Sequence, residues 1–396
     1  MARGSAGLVG VRRALGIALV VTLASGVLAL GHFYLVQRLV FDAGIGPPWR
    51  GILAGSIALL GCTLILQPIA ERSLRRARWL AWPASLWMGF GFLLIALLAV
   101  TDGLLWLAGS PALAAGAPAG AAGPALSAWR AAFATAVALL AGCIGLRGAL
   151  RPPALRRVTF AIEGWPHALE GFRIVQISDI HIGPILDRRF ATQLVERVNA
   201  LAPDLIAVTG DLVDGSARHL AEEVAPFAAL SAAQGVYFVT GNHDHLSHAP
   251  SWALEVERLG MTLLRNRRVS VGAEGSSFDL VGVDDHHGRF IGGGGEDLDA
   301  ALAGRDASRP AVLLAHDPST FRKARRRGVD LQISGHTHGG QIWPFGYLVR
   351  LVIPWVAGSY RDGRAQLYVS RGTGFWGPPM RLGAPAEITE ITLRAA

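Results

Sequence analysis

The stretch "FRIVQISDIHIG", residues 172–183, runs apolar through Ile177 and then delivers Asp179 and His181 into a glycine turn. A short apolar run closed by turn residues is the pattern of a strand buried on both faces. A helix-period stretch, "DRRFATQLVERVNALA" (187–202), follows, and then a second strand, "DLIAVTG", opens into "GDLVDG". The three pieces form a β–α–β unit. One further strand candidate, "RVTFAI" (157–162), precedes it, and five follow: "GVYFVTG" (235–241), "FDLVGV" (278–283), "PAVLLAH" (310–316), "VDLQISG" (329–335) and "AQLYVSRG" (365–372). Helix-period segments separate several of them, so the chain from residue 155 to 396 is expected to be an α/β layered domain.

Nearly every one of these strands stays apolar to its end and then presents Asp, Asn or His. The strand ends supply Asp179 and His181, Asp211 and Asp214, Asn242, His243 and Asp244, His316, and finally His336 and His338 in "SGHTHGG" (334–340). Ligands of α/β sheets bind outside the carboxyl ends of the strands. Taken singly, an Asp after Gly is a common turn former and a lone His a common structural hydrogen-bonder. Their recurrence at successive strand ends is what carries information. Carboxylates and neutral imidazoles without thiolate suit Mn, Fe or Zn better than Ca or Mg, and the donors outnumber the needs of one tetrahedral site. Two divalent metal ions about 3.5–4 Å apart, sharing one carboxylate and one hydroxide, make a clamp suited to in-line displacement at phosphorus. The reaction this points to is hydrolysis of a phosphate ester.

Through D-x-H (Asp179, His181), G-D-x-x-D (Gly210, Asp211, Asp214), G-N-H-D (Gly241 to Asp244), a lone His316 and G-H-x-H (Gly335 to His338), the chain resembles the calcineurin-like metallophosphoesterases. The strings "GHTHGGQIWPFG" and "LYVSRGTGFWGPPMRLGAPAEITEITL" are similar to the membrane-anchored bacterial branch of that family, and the resemblance covers about residues 157–396. It implies a four-layer α-β-β-α sandwich. It also implies that Asp179, His181 and His338 bind a first metal, that Asp211 bridges, and that Asn242, His316 and His336 bind a second. His243 would lie near the leaving-group oxygen as general acid, with Asp214 orienting it; a plain turn former is the other reading of Asp214. His245, His248, His286 and His287 match no ligand position and read as solvated loop residues, His286 being nearest to an exception because its loop follows a strand.

The first 150 residues are of a different kind. Apolar runs at 14–36, 51–70, 79–100 and 129–146 each approach the ~20 residues that a bilayer-crossing helix needs, so an all-α transmembrane domain of about four helices is expected over residues 1–150. Residues 1–164 hold 14 Lys plus Arg against 4 Asp plus Glu, whereas residues 165–396 hold 23 against 25. The basic excess therefore flanks the apolar runs, which disfavours nucleic acid as a partner and favours a role in membrane orientation. Arg12 and Arg13 precede the first run, Arg72, Arg75, Arg76 and Arg78 lie between the second and third, and Arg147, Arg151, Arg156 and Arg157 close the fourth. By the positive-inside rule these ends are cytoplasmic, which places the C-terminal domain on the cytoplasmic side of a bacterial inner membrane. A cleaved twin-arginine leader is the alternative for the first run, and it leaves the later arginine-rich ends as they are. Both cysteines, Cys62 and Cys143, fall in the apolar runs, so neither a disulfide framework nor a thiolate metal site is expected. With Lys323 the single lysine and no glycines placed around it, a Walker-type phosphate loop is excluded.

The apolar stretch "IWPFGYLVRLVIPWVAGSY" (342–360) follows the last histidine turn. Core packing is its default reading; the sharper one is an apolar wall, with Trp343 and Phe345 as substrate-binding candidates, that receives a lipid-like leaving group or rests on a bilayer. The function expected is thus a membrane-anchored two-metal phosphoesterase acting on a phosphate mono- or diester, with a phospholipid or lipid-linked pyrophosphate as the favoured substrate. A catalytically silent membrane scaffold that only binds a phosphorylated ligand is the alternative, and it is disfavoured because every ligand position is filled. The sequence is silent on oligomeric state.

Overall fold

The computed structural model describes residues 2–73, 78–108, 124–291 and 294–396. Internal contacts divide the chain into two units, Met1–Cys143 and Ile144–Ala396. The first unit contains the helices Ala2–Val36, Trp49–Ser73 and Arg78–Leu107 and most of the fourth, Pro124–Leu150. Each helix carries a segment long and apolar enough to cross a membrane: Val21–Phe41, which runs on through a π-type turn, Trp49–Leu66, Ala81–Leu107 and Ala125–Leu150. Most side chains in these segments face outward, the reverse of a water-soluble bundle. Where charges do occur they meet one another: Asp102 accepts from Tyr34 Oη at 2.6 Å, pairs with Arg38 Nε at 3.0 Å and takes Arg130 as a further partner. Most of the loop 108–127 and the pair Arg75 and Arg76 lie outside the described residues.

The second unit is built on two six-stranded mixed sheets. The strands, in chain order, are β1 (Ala154–Ile162), β2 (Phe172–Ile177), β3 (Leu205–Thr209), β4 (Val236–Val239), β5 (Thr262–Leu263), β6 (Arg267–Ala273), β7 (Ser276–Gly282), β8 (Ala311–Leu314), β9 (Leu331–Ser334), β10 (Gly358–Asp362), β11 (Ala365–Val369) and β12 (Glu387–Ala395). One sheet has the order β1-β12-β2-β3-β4-β5 and the other β10-β11-β9-β8-β7-β6. Strands β2, β3, β4 and β5 are mutually parallel, as are β7, β8, β9 and β11. Parallel neighbours bring their carboxyl ends to one rim.

Alternation along the strands assigns the layers. Phe160, Ile174, Leu205, Val239, Phe278, Val312, Leu331 and Tyr368 fill the space between the sheets. Val175, Ile177, Ile206 and Val208 face the other way, onto Ala191, Leu194 and Val198 of the helix Arg188–Asn199 and onto Trp252 and Val256 of Ala249–Arg258. On the far side Val281 and Leu313 meet Leu298, Ala301 and Ala324 of two short helices. This is the four-layer α-β-β-α sandwich. Gln176, fully buried, ties the two sheets together, its Nε2 donating to Thr209 Oγ1 of its own sheet at 2.8 Å and to Ser334 O of the other at 2.9 Å.

Core packing does not hold for the run after the last histidine turn. The helix Phe345–Val352 buries none of its residues, and only the two ends of the run, Ile342 before the helix and Ile353 and Val356 after it, enter the interior.

Candidate metal centre

The loops after β2, β3, β4, β8 and β9 converge, and all the predicted ligands arrive in one place. Asp179, His181 and His338 present ligand-type atoms within 4.8 Å of one another; so do His181, Asp211 and His243, and so do Asp211, His316 and His336. The groups are joined through Asp211, whose Oδ2 lies 3.8 Å from His181 Nε2 and 3.2 Å from His316 Nε2. Asn242 belongs to the last group, with Oδ1 3.1 Å from His316 Nε2 and 2.9 Å from His336 Nδ1.

Tight turns make this convergence possible. Asp179, His181, Asp211, His336 and His338 all hold positive φ, a conformation that costs a non-glycine residue about 1–2 kcal/mol and that clusters at functional sites. The glycines of the motifs answer to close approach. A Cβ on Gly335 would overlap Ser178 Oγ and Asp179 Oδ2, and one on Gly241 would overlap Asp211 Oδ1, so either side chain would push a carboxylate out of place. Asp244 braces the same turns: its carboxylate accepts from Gly241 N at 2.8 Å, Asp211 N at 2.9 Å and Leu212 N at 3.0 Å.

Second partners orient the imidazoles. His316 Nδ1 donates to Thr209 O at 2.8 Å and His181 Nδ1 to Asp214 Oδ1 at 2.9 Å, so in each neutral ring the Nε2 lone pair points inward. The His316 Nε2 lone pair then faces Asp211 Oδ2 at 3.2 Å and Asn242 Oδ1 at 3.1 Å, and Asp179 Oδ2 is buried without a hydrogen-bond partner. A lone pair and acceptor oxygens at such spacing repel one another unless positive charge lies among them. The titration pattern has the same sense. Burial opposes a charged His316, yet Asp211 and Asp179 hold its pKa well above the usual value. Burial likewise opposes an ionised Asp211, yet His316 and His243 hold its carboxyl well below the usual range. The donor set therefore fits the divalent metal ions that this fold implies.

Asp214 is more than a turn residue. Its Oδ1 also takes His243 Nδ1 at 2.7 Å, and the His243 ring stands 4.8 Å from the His181 ring and 5.5 Å from the Trp376 ring. Burial would lower the His243 pKa, but the charge of Asp211 and the hydrogen bond that His243 donates to Asp214 push it up to about 9.

Of the four histidines read as solvated loop residues, His245 departs from that reading, while His286 and His287 stay partly exposed in their turn but have carboxylate partners beside the centre. His245 is buried, with Nε2 3.1 Å from Thr240 Oγ1. His287 is half-buried beside the centre: Asp285 Oδ1 accepts from its backbone N and its Nδ1, both at 2.8 Å, and its ring lies 5.9 Å from the His336 ring. His286 Nδ1 lies 3.6 Å from Asp317 Oδ2, an oxygen also 3.8 Å from His336 Nε2. The remaining one, His248, is exposed as expected. Arg381 was not foreseen at all. It is buried behind His338, giving Nε to Gly374 O at 3.0 Å and Nη1 to His338 O at 3.1 Å, with Nη2 3.2 Å from His338 Nδ1. No spacing marks this arginine; the fact that β7 ends at the same rim could have drawn attention to Asp285 and His287.

Of the substrate-binding candidates, Trp343 and Phe345 are exposed just past the histidine turn, Trp343 donating its backbone N to Leu382 O at 2.9 Å. Residues 172–340 match the family described as calcineurin-like phosphoesterase. The chain is 38% identical over 281 residues to a protein of Bos taurus named transmembrane protein with metallophosphoesterase domain, an alignment covering 68% of this chain and 63% of that one. It thus spans under two thirds of that relative's length. An uncharacterized metallophosphoesterase of Bacillus subtilis is 32% identical over 58% of this chain and 82% of its own, and one of Aquifex aeolicus is 31% identical over 61% of this chain and 91% of its own. Coverage of more than four fifths of these bacterial relatives at over 30% identity shows that the chain belongs to the calcineurin-like metallophosphoesterase family.

Proposed function

We propose that the chain is a membrane-anchored, metal-dependent phosphoesterase with its catalytic domain over residues 155–396 behind a four-span anchor over residues 1–150. Asp179, His181 and His338 would hold one divalent ion, Asn242, His316 and His336 a second, and Asp211 would bridge them. The observation that carries this reading is the position of Asp211 Oδ2 between His181 Nε2 and His316 Nε2, one carboxylate shared by two nitrogen-rich groups. Mn, Fe or Zn suits these donors. When bound, such ions supply charge neutralisation for the phosphoryl oxygens and lower the pKa of water.

The chain's own groups do the rest. His243, whose pKa is raised by Asp211 and by its hydrogen bond to Asp214, would give its proton to the oxygen of the departing group. Asp214 fixes that ring and the His181 ring through one oxygen. The substrate proposed is a phosphate mono- or diester, with a phospholipid or lipid-linked pyrophosphate favoured by the anchor and by the exposed Trp343 and Phe345 beside the centre. The arginine distribution supports a cytoplasmic catalytic domain at a bacterial inner membrane.

The test is hydrolysis of an aryl phosphodiester by the purified full chain in detergent. Activity should vanish with chelator, return with Mn(II), and fall by about 10²-fold or more in Asp211→Asn. A panel of mono- and diesters on which no metal-dependent hydrolysis is seen overturns the reading.

A further inference from the structure

The helix Phe345–Val352 is an apolar element of the second unit that buries none of its residues. Leu351 is 83% exposed, Val352 75% and Tyr347 65%. With Leu348 these residues fall on one arc of about 140° at a helical period. The opposite side of the helix rests on the histidine turn, where Gly346 meets Gly340 backbone to backbone. Trp343 precedes the helix at 60% exposure, and half-exposed Trp376 continues the same apolar character to the His243 ring, 5.5 Å away. Gln341 joins these parts, its Oε1 accepting from Trp376 N at 3.0 Å and its Nε2 donating to Trp376 O at 2.8 Å. A soluble domain rarely leaves so contiguous a patch open, and aromatic rings beside aliphatic tips with Arg350 on the flank are the composition of a helix lying in a membrane interface.

One occupant is specified by the way this unit is attached. Residues 144–150, the last turns of the fourth apolar helix, belong to the same compact unit as the sandwich. Arg381 N donates to Gly145 O at 2.8 Å, and Gly145 packs against Met380. The very next residue, Leu382, gives its N–H to Gln341 O and accepts from Trp343 N, both at 2.9 Å. One short segment, residues 380–382, is therefore fastened on one side to the end of a candidate span and on the other to the strand-like lead into the exposed helix. Within the second unit, the lead into the helix is thus tied to the stretch that continues a candidate span.

We propose that the helix Phe345–Val352, together with Trp343 and Trp376, docks into the headgroup–acyl boundary of the membrane that anchors the chain, so that the metal centre opens onto lipid instead of bulk water. The docking stands on geometry alone; that the centre then takes a phosphoester held in that membrane rests on the hydrolytic reading above.

The test uses the full chain in nanodiscs of phosphatidylcholine and phosphatidylglycerol, with Cys62→Ala and Cys143→Ala so that a single new thiol carries an environment-sensitive fluorophore. The label is placed at Leu351→Cys, or for comparison at Glu274→Cys, exposed in the turn at the start of β7 and so at the opposite end of that strand from the centre. Docking predicts blue-shifted emission at 351 and quenching by spin-labelled lipid several-fold stronger than at 274. Emission at 351 that stays water-like overturns the proposal, and so does blue-shifted emission that spin-labelled lipid leaves unquenched, which would mean a second copy covers the face. The variant Leu351→Ser with Val352→Ser gives a separate readout: hydrolysis of a soluble aryl phosphodiester unchanged, and hydrolysis of vesicle phospholipid reduced on the order of tenfold. If the hydrolytic reading fails, neither substrate is turned over while the fluorescence result at 351 still stands.

Discussion

The pairing of Asp214 with two imidazoles gives one carboxylate oxygen two tasks. It keeps the Nε2 of His181 turned inward, and it raises the pKa of His243. A raised pKa means that the protonated ring is present at low and neutral pH and is lost as pH rises through the shifted value, so an acid role for His243 predicts an alkaline limb in the pH–rate profile. Removing the charge of Asp214 withdraws part of what raises that pKa. In Asp214→Asn the alkaline limb should move to lower pH relative to the parent chain, with kcat reduced, while His243→Asn should remove that limb and reduce kcat by about 10²-fold. Profiles of kcat against pH for the three proteins check this, and an unmoved limb in Asp214→Asn would remove Asp214 from the acid's environment. Asp211 differs in kind, because its value lies in standing between two nitrogen groups, and its replacement acts on metal retention before it acts on protons.

At the scale of elements, the strand ends were legible because parallel pairing turns a sequence regularity into a place. Apolar runs that each stop at Asp, Asn or His read directly as β2, β3, β4, β8 and β9, and the layer order follows from their alternation with helices. The two-residue β5 is too short to leave a periodic trace, while β6 and β10 are exposed strands without an apolar run and depend on pairing with β7 and β11. The helix Phe345–Val352 was read as core because apolar residues normally go inside, a rule that fails where water is not the outer medium. Arg381 was invisible for another reason: its partners are backbone carbonyls, which have no sequence signature. Its guanidinium bonds Gly374 O, Arg371 O and His338 O, holding the chain between β11 and β12 against the last histidine turn. Arg381→Met would take the guanidinium donor away from Gly374 O and Arg371 O, at about 1–3 kcal/mol each, while His338 O keeps Gln341 N at 3.1 Å. The expected result is a lower melting temperature together with weaker retention of the ion assigned to His338, measured by metal analysis after mild chelation. Full metal content in a folded Arg381→Met protein would make this arginine a structural tie with no bearing on the centre.

For the whole molecule, the question is which side of the membrane the centre occupies. An even number of spans returns the chain to its starting side, so Arg12 and Arg13 and the cluster Arg147 to Arg157 must share a compartment, and the arginines at 72, 75, 76 and 78 lie between the second and third spans, on that side as well. The opposite side receives fewer basic residues, and there Arg38 and Arg130 are engaged by Asp42 and Asp102, within the helical unit itself. Their charge is spoken for internally, and the more numerous arginines of the other side flank the apolar runs, the kind of asymmetry that sets orientation during insertion. A reporter active only outside the cytoplasm should therefore be silent when fused after Ala396 and active when inserted into the loop between the third and fourth helices. Replacing Arg72, Arg75, Arg76 and Arg78 by Ser should weaken the bias and let a fraction of chains insert the other way, giving partial signal from the C-terminal fusion. Strong signal from that fusion in the parent chain would put the catalytic unit outside. The exposed helix would then meet the outer leaflet, leaving the site chemistry intact and replacing a cytoplasmic pool of substrates with an extracytoplasmic one.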